Sequence, residues 1–306
     1  MQHITGINAA VFTALNTDGS INLNAIEKQA TSVEHNGLSG VFVCGTTGEG
    51  MSLSVAERFQ IAERWMEIAG AELNIIVHVG AQSLTDARAL AAHAEAIGAK
   101  AIAAVIPSFF KPTHLDDMVA FNARVAIAAP RTPYYYYHIP SMTGIKIPVQ
   151  EFFTQAARRI PTLAGAKFTY EDMDDLRASC QMLRPDGQPY NMLIGRDESL
   201  LPALQNGAQG AIGSTYNIMA PLHMQLIAAY KRNDLPTATA ARAQVQIIAG
   251  IMNKYGGFPA GKSMMQMIGL DVGPTRLPVH TLSVDERSNL ERELSQAGFF
   301  DVCSKL

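Results

Sequence analysis

Along this chain, short runs of β-branched and apolar residues alternate with longer Ala-rich stretches whose apolar positions recur at helical spacing. The runs predict strands over 9–15, 40–44, 74–79, 101–106, 133–138, 163–167, 190–194 and 210–213. The stretches between them predict helices over 24–36, 54–69, 84–97, 115–129, 149–159, 171–183, 200–206 and 220–231. Local signals agree with these bounds. Ser54 and Glu57 have capping-box spacing, in which each side chain satisfies the other residue's free backbone N–H. Pro148 suits a first helical turn, and Gly37, Gly70, Gly98 and Gly207 stand where left-handed caps end helices.

Eight strand–helix repeats are the count of a closed (β/α)8 TIM barrel in the α/β class, whose active site lies at the C-terminal strand ends. A doubly wound open sheet is the competing arrangement. No composition shift or Pro/Ser-rich linker divides the chain before Lys231, and three more helical stretches follow over 235–255, 261–268 and 284–297. The expected organisation is a barrel over 1–232 carrying the active site, with a three-helix C-terminal extension over 233–306 packed on it.

Composition narrows the functional classes. A chain of 306 residues has room for a large core, and a net charge of −3 without any Lys/Arg run argues against nucleic acid or an anionic membrane surface as partner. The N-terminus lacks a basic leader and no apolar run reaches membrane-spanning length, so a soluble cytoplasmic protein is expected. Cys44, Cys180 and Cys303 are odd in number and far apart, and the eight histidines show no ligand spacing. No disulfide framework and no metal site are expected. The stretch from Gly256 to Ser263 (GGFPAGKS) matches the P-loop pattern, but helical periodicity precedes it and Pro259 removes an N–H donor. It is read as a turn between helices.

The chemistry lies at the strand ends. Lys167 closes an apolar run, Thr162-Leu-Ala-Gly-Ala-Lys, where an idle cation is costly. A buried lysine sheds its proton readily, and the neutral amine is the nucleophile that makes a Schiff base with a carbonyl. The preceding strand run is Pro133-Tyr-Tyr-Tyr-Tyr137, and the residue pattern leaves open which tyrosine matters. Thr46 and Thr47 sit in a Gly45-Thr-Thr-Gly48 turn suited to a carboxylate, although Gly/Thr turns are also common structural punctuation. Asp197 and Glu198 follow the seventh strand and Ser214 the eighth, so five strands present polar groups at one end. Phe109-Phe110 after the fourth strand are read either as a pocket wall or as packing.

Gly45-Thr-Thr-Gly-Glu49, Tyr137-His-Ile-Pro140 and Gly165-Ala-Lys167, in that order, resemble the pyruvate-dependent class I aldolases of the N-acetylneuraminate lyase and dihydrodipicolinate synthase superfamily. The resemblance runs from about Gly6 to Phe300. The stretches from Tyr135 to Gly144, Gly195 to Glu198, Gly213 to Asn217 and Gly273 to Pro278 are similar to its lyase branch.

The resemblance implies reversible aldol cleavage of N-acetylneuraminate to N-acetylmannosamine and pyruvate, in a homotetramer that needs no cofactor. Lys167 would form the Schiff base and Tyr137 would move the carbinol proton. Thr46 and Thr47 would hold the pyruvate carboxylate. Thr169, Gly195, Asp197, Glu198 and Ser214 would bind the sugar hydroxyls.

Two departures bear on this. Met142 stands where synthases carry an arginine for a second carboxylate, which disfavours the synthase reading. Phe110 stands near a relay tyrosine of that family, leaving proton relay to Thr47 and Tyr137. Aldolases or dehydratases of 2-keto-3-deoxy sugar acids would share Lys167 and Tyr137, and a non-catalytic sensor on the same barrel would not need an imine.

Overall fold

A computed structural model describes residues 3–70 and 72–306. Among these residues, eight parallel strands close a barrel in chain order. The barrel alternates β1 Gly6–Ala10, α1 Ala25–His35, β2 Gly40–Val43, α2 Val55–Ile68, β3 Asn74–His78, α3 Leu84–Ala96, β4 Ala101–Val105 and α4 Leu115–Ala126. It continues through β5 Tyr134–His138, α5 Pro140–Thr143, α6 Val149–Ala156, β6 Leu163–Phe168, α7 Met173–Cys180, β7 Asn191–Ile194, α8 Leu200–Gln205, β8 Gly210–Gly213 and α9 Tyr216–Lys231. The strand β1 pairs with both β2 and β8, which closes the ring. Helices α10 Leu235–Lys254, α11 Phe258–Met267, α12 Val284–Gln296 and the short α13 Phe299–Val302 follow.

The caps explain several of these bounds. The Ser54 hydroxyl accepts from the Glu57 N–H while the Glu57 carboxylate accepts from the Ser54 N–H, and Ser283 with Glu286 repeats the device at the start of α12. Asp172 and Ser83 cap α7 and α3 through their side chains.

Two layers of apolar side chains result. The larger lies between strands and helices and includes Tyr134 and Tyr136. The smaller fills the barrel interior with Ile76, Ala103, Tyr135, Tyr137, Leu193 and Ile212. Period-two alternation along β5 sorts its four tyrosines between these layers.

Three expectations need correction. The first strand is Gly6–Ala10 rather than 9–15, and Leu15 instead forms an isolated antiparallel bridge with Ile21. Residues 11–15 are apolar except for Thr13 because they form a buried loop: Phe12 is 1% exposed, and its ring lies so close to Gly261 that a Cβ there would sit 2.4 Å from it. The last barrel helix begins at Tyr216 rather than at residue 220, with a break at Met219 ahead of Pro221. In the extension, α11 starts at Phe258 with Pro259 in its first turn, so Ala260 to Ser263 of the P-loop-like string are helical, and α13 adds a fourth short helix. No helix among the described residues is long and apolar enough to cross a membrane.

Candidate active site

Lys167 on β6 is the register partner of Tyr137 on β5. Both side chains point into the barrel. The Lys167 amine sits 4.1 Å from the centroid of the Phe42 ring and 4.2 Å from that of Tyr137, and Lys167 is only 3% exposed. Burial disfavours its charged form and lowers its pKa to about 7, against the opposing pull of Asp197. A substantial fraction of the amine is therefore neutral near pH 7.

The Tyr137 hydroxyl lies 3.0 Å from Thr46 Oγ1. Burial pushes the phenol up to about 12, only partly offset by that hydroxyl. Thr46 begins the tight turn after β2, where the Glu49 N–H donates to the Thr46 carbonyl and the Gly50 N–H to that of Gly45. The Thr13 hydroxyl donates to the Gly48 carbonyl at 2.6 Å, so the β1 loop braces the turn from outside. Thr47 is buried beside Thr46.

The β6–β8 side of the rim is built by close approach. A Cβ on Gly195 would lie 1.9 Å from Thr169 Oγ1 and 3.2 Å from Lys167 Cε, so glycine there makes room for both side chains. A Cβ on Gly213 would lie 1.5 Å from Asp197 Oδ1. Asp197 is buried on a 3-10 turn, Asp197–Ser199, and its Oδ2 accepts from the Thr215 N–H at 2.8 Å and the Thr215 hydroxyl at 2.7 Å. The Thr215 hydroxyl also lies 2.9 Å from Nε2 of the fully buried His223. Burial raises Asp197 to about 6, against the lowering effect of its bonds from Thr215. Glu198 is half-buried and accepts from Arg196 at 2.7 Å. Ser214 is half-buried next to Thr215.

The structure thus brings Lys167, Tyr137, Thr46, Thr169 and Gly195 together. A cavity of about 240 Å³ opens beside them on the β2–β5 side, lined among others by Thr46, Glu49, His78, Ile139, Met142 and Phe258. Of the expected site residues only Thr46 lines this cavity; Lys167, Tyr137, Thr47, Thr169, Gly195, Asp197, Glu198 and Ser214 lie outside its lining. The Phe109 and Phe110 rings are 79% and 86% exposed and meet edge to face, which fits neither a pocket wall nor core packing.

Residue patterns missed Arg58, and they marked Thr215 only as part of the polar end of the eighth strand, Gly213-Ser-Thr215, without its tie to Asp197. Arg58 from α2 is buried, and its guanidinium donates to the Gly80 carbonyl at 2.9 Å and the His78 carbonyl at 2.6 Å. The His78 imidazole N–H in turn donates to the Cys44 carbonyl (Nδ1···O 3.0 Å), at the base of the Gly45–Gly48 turn. Burial and the nearby Arg58 charge hold His78 well below the usual histidine range, so its ring is neutral. An arginine in the first turn of a helix carries no signal of this contact. A histidine at a strand end carries a weak one.

A buried amine of lowered pKa at the C-terminal ends of a (β/α)8 barrel defines an enzyme of the class I aldolase type. The chain belongs to the dihydrodipicolinate synthetase family, whose model matches residues 3–297. It is 42% identical over 280 residues to an N-acetylneuraminate lyase of Gallus gallus, covering 90% of each chain. Among solved structures it is similar to Proteus mirabilis N-acetylneuraminate lyase, with TM-score 0.92, 38% identity and 97% and 100% of the two chains covered. The N-acetylneuraminate lyase (sialic acid aldolase) of Aliivibrio salmonicida aligns with TM-score 0.93 at 36% identity over 98% of each chain.

Proposed function

We propose that this protein cleaves N-acetylneuraminate reversibly to N-acetylmannosamine and pyruvate through a Schiff base on Lys167. The observation that carries the reading is the Lys167 amine, lowered to about 7 and lying against the Tyr137 ring, whose hydroxyl is bonded to Thr46.

The neutral amine attacks C2 of the open-chain keto acid, and the carbinolamine oxygen leaves as water with the proton of the Tyr137 phenol, giving a protonated imine beside a phenolate. Tyr137 takes the proton of the C4 hydroxyl as the C3–C4 bond breaks. The electron pair of that bond moves into the iminium to give a neutral enamine, so the charge is absorbed without any cofactor. Protonation at C3 and hydrolysis then release pyruvate. Burial alone keeps Tyr137 a neutral phenol, and the positive iminium beside it favours the ionised form. Thr46 and Thr47 hold the carboxylate so that the breaking bond aligns with the imine π-system, and Thr47 assists Tyr137 in proton transfer.

Thr169, Gly195, Asp197, Glu198 and Ser214 receive the sugar hydroxyls in this reading. Acidic groups on that side favour a polyol over a second carboxylate, and Met142 offers no cation for one. The same reading assigns the active site to the barrel over 1–232, a bracing role to 233–306, and a cytoplasmic homotetramer as the working form. Light scattering tests the oligomeric state and cell fractionation the compartment. The decisive experiment is pyruvate release from N-acetylneuraminate, combined with borohydride trapping and peptide mapping. A three-carbon adduct on Lys167 and catalytic pyruvate release are expected; turnover without an adduct there would overturn the reading.

A further inference from the structure

An acidic residue stands where an anion is to bind. Glu49 is two residues past Thr47, lines the same cavity as Thr46, and donates its own N–H to the Thr46 carbonyl. Its backbone is left-handed, with φ at 53°, so the turn holds it in a conformation that non-glycine residues seldom adopt. Left bare in a poorly solvated rim, this carboxylate would oppose entry of a keto-acid carboxylate.

The C-terminal extension supplies the countercharge. Lys262 on α11, the lysine of the P-loop-like string, places Nζ 2.8 Å from Glu49 Oε1, and both side chains are 3% exposed. The same ammonium donates to the Pro274 carbonyl at 2.6 Å. The other Glu49 oxygen accepts from the Arg276 N–H at 2.7 Å, and the Arg276 side chain donates to the Ser52 carbonyl and to Glu57. Two segments of the extension therefore grip one side chain of the turn after β2.

We infer that Lys262 is a positioning residue for the keto acid: it neutralises Glu49 and locks the Thr46–Thr47 turn in the geometry that accepts the substrate carboxylate. This rests on the assignment of that turn to the carboxylate and of Lys167 to the imine. Removing one partner of a buried ion pair leaves an uncompensated charge, whereas removing both leaves a neutral pocket. The two changes thus separate charge neutralisation from simple packing.

The test is borohydride trapping at Lys167 titrated with pyruvate, on the parent chain, Lys262→Met and the double variant Glu49→Gln/Lys262→Met, with thermal unfolding recorded for each. Lys262→Met should raise the half-saturating pyruvate concentration about tenfold or more, because truncating one member of a buried pair is costly, while trapping at saturation changes little. The double variant should return to within about threefold of the parent, since neither charge is left unpaired. Parent-like half-saturation in Lys262→Met overturns the inference, and so does a double variant as weak as the single one. Should Lys262→Met not fold, Lys262→Gln, which also leaves the Glu49 charge uncompensated, takes its place with the same expectation and the same overturning result. Failure of the parent itself to trap pyruvate would strike the proposed function instead.

Discussion

The Tyr137 hydroxyl and Thr46 Oγ1, 91 residues apart in sequence, meet at 3.0 Å across the barrel mouth. This one contact joins the group proposed to move the carbinol proton to the turn proposed to hold the carboxylate. Any change to either side chain is therefore felt by both steps.

Thr46→Val keeps the shape of the side chain and removes its hydroxyl. The variant should bind pyruvate more weakly and turn over more slowly, each by about tenfold, since a hydrogen bond made to the reacting assembly is lost. Trapping titrations beside steady-state kinetics measure both. A loss confined to one of the two would dissolve the link between cradle and phenol.

Tyr137→Phe should lower turnover by roughly 10²–10⁴ while part of the pyruvate trapping at Lys167 survives, because general base catalysis is lost but the cradle remains. Near-normal turnover would move the role away from β5. Tyr135 is a poor substitute, since its hydroxyl donates to Asn191 Oδ1 at 2.7 Å instead of facing the cradle.

The pH dependence of imine formation follows from Lys167. Its pKa lies at about 7, below the ordinary lysine value of 10.5, so the amine is mostly protonated at pH 6 and mostly neutral at pH 8. The rate of pyruvate imine formation should rise through that window and level off above it. Rapid-mixing measurements that place the midpoint above pH 9 would show an ordinary solvated lysine.

Gly195→Ala introduces a Cβ 1.9 Å from Thr169 Oγ1, and Thr169 must rotate or shift to admit it. Cleavage of N-acetylneuraminate should fall by about tenfold or more, since a small misplacement of positioning groups has a large kinetic effect. Parent-like cleavage would show that Thr169 needs no fixed place.

For Asp197 the structure adds an anchoring role to the proposed sugar contact. Asp197→Ala orphans the Thr215 N–H, and about 1–3 kcal/mol of stability should be lost for a buried donor left unpaired. Cleavage of N-acetylneuraminate should drop as well, with pyruvate trapping nearly intact. Thermal unfolding and kinetics run together distinguish the two roles. Unchanged cleavage would remove Asp197 from the sugar site.

Much of this was legible along the chain. Helical and strand periodicities are properties of neighbours up to four residues apart, so the boundaries of most barrel elements fall within a few residues of the pattern. A lysine ending an apolar run announces itself for the same local reason. The exceptions are equally physical. Residues 11–15 look like a strand because burial, rather than pairing, demands apolar side chains there, and the loop is covered by α11.

What the sequence by itself determined is the repeat of eight strand–helix units and the presence of an amine, a phenol and a Gly/Thr turn at strand ends, while closure into a barrel instead of an open sheet was decided by the strand pairing of the folded chain. Tertiary structure alone decided which of four adjacent tyrosines faces Lys167, because register across β5 and β6 and the alternation of faces set that together. It also decided that Asp197 is tied to Thr215 and His223, and that Lys262 reaches Glu49. Those partners are brought together by barrel closure and by the extension folding back over the rim. No local propensity encodes a contact between residues that only the closed fold makes neighbours.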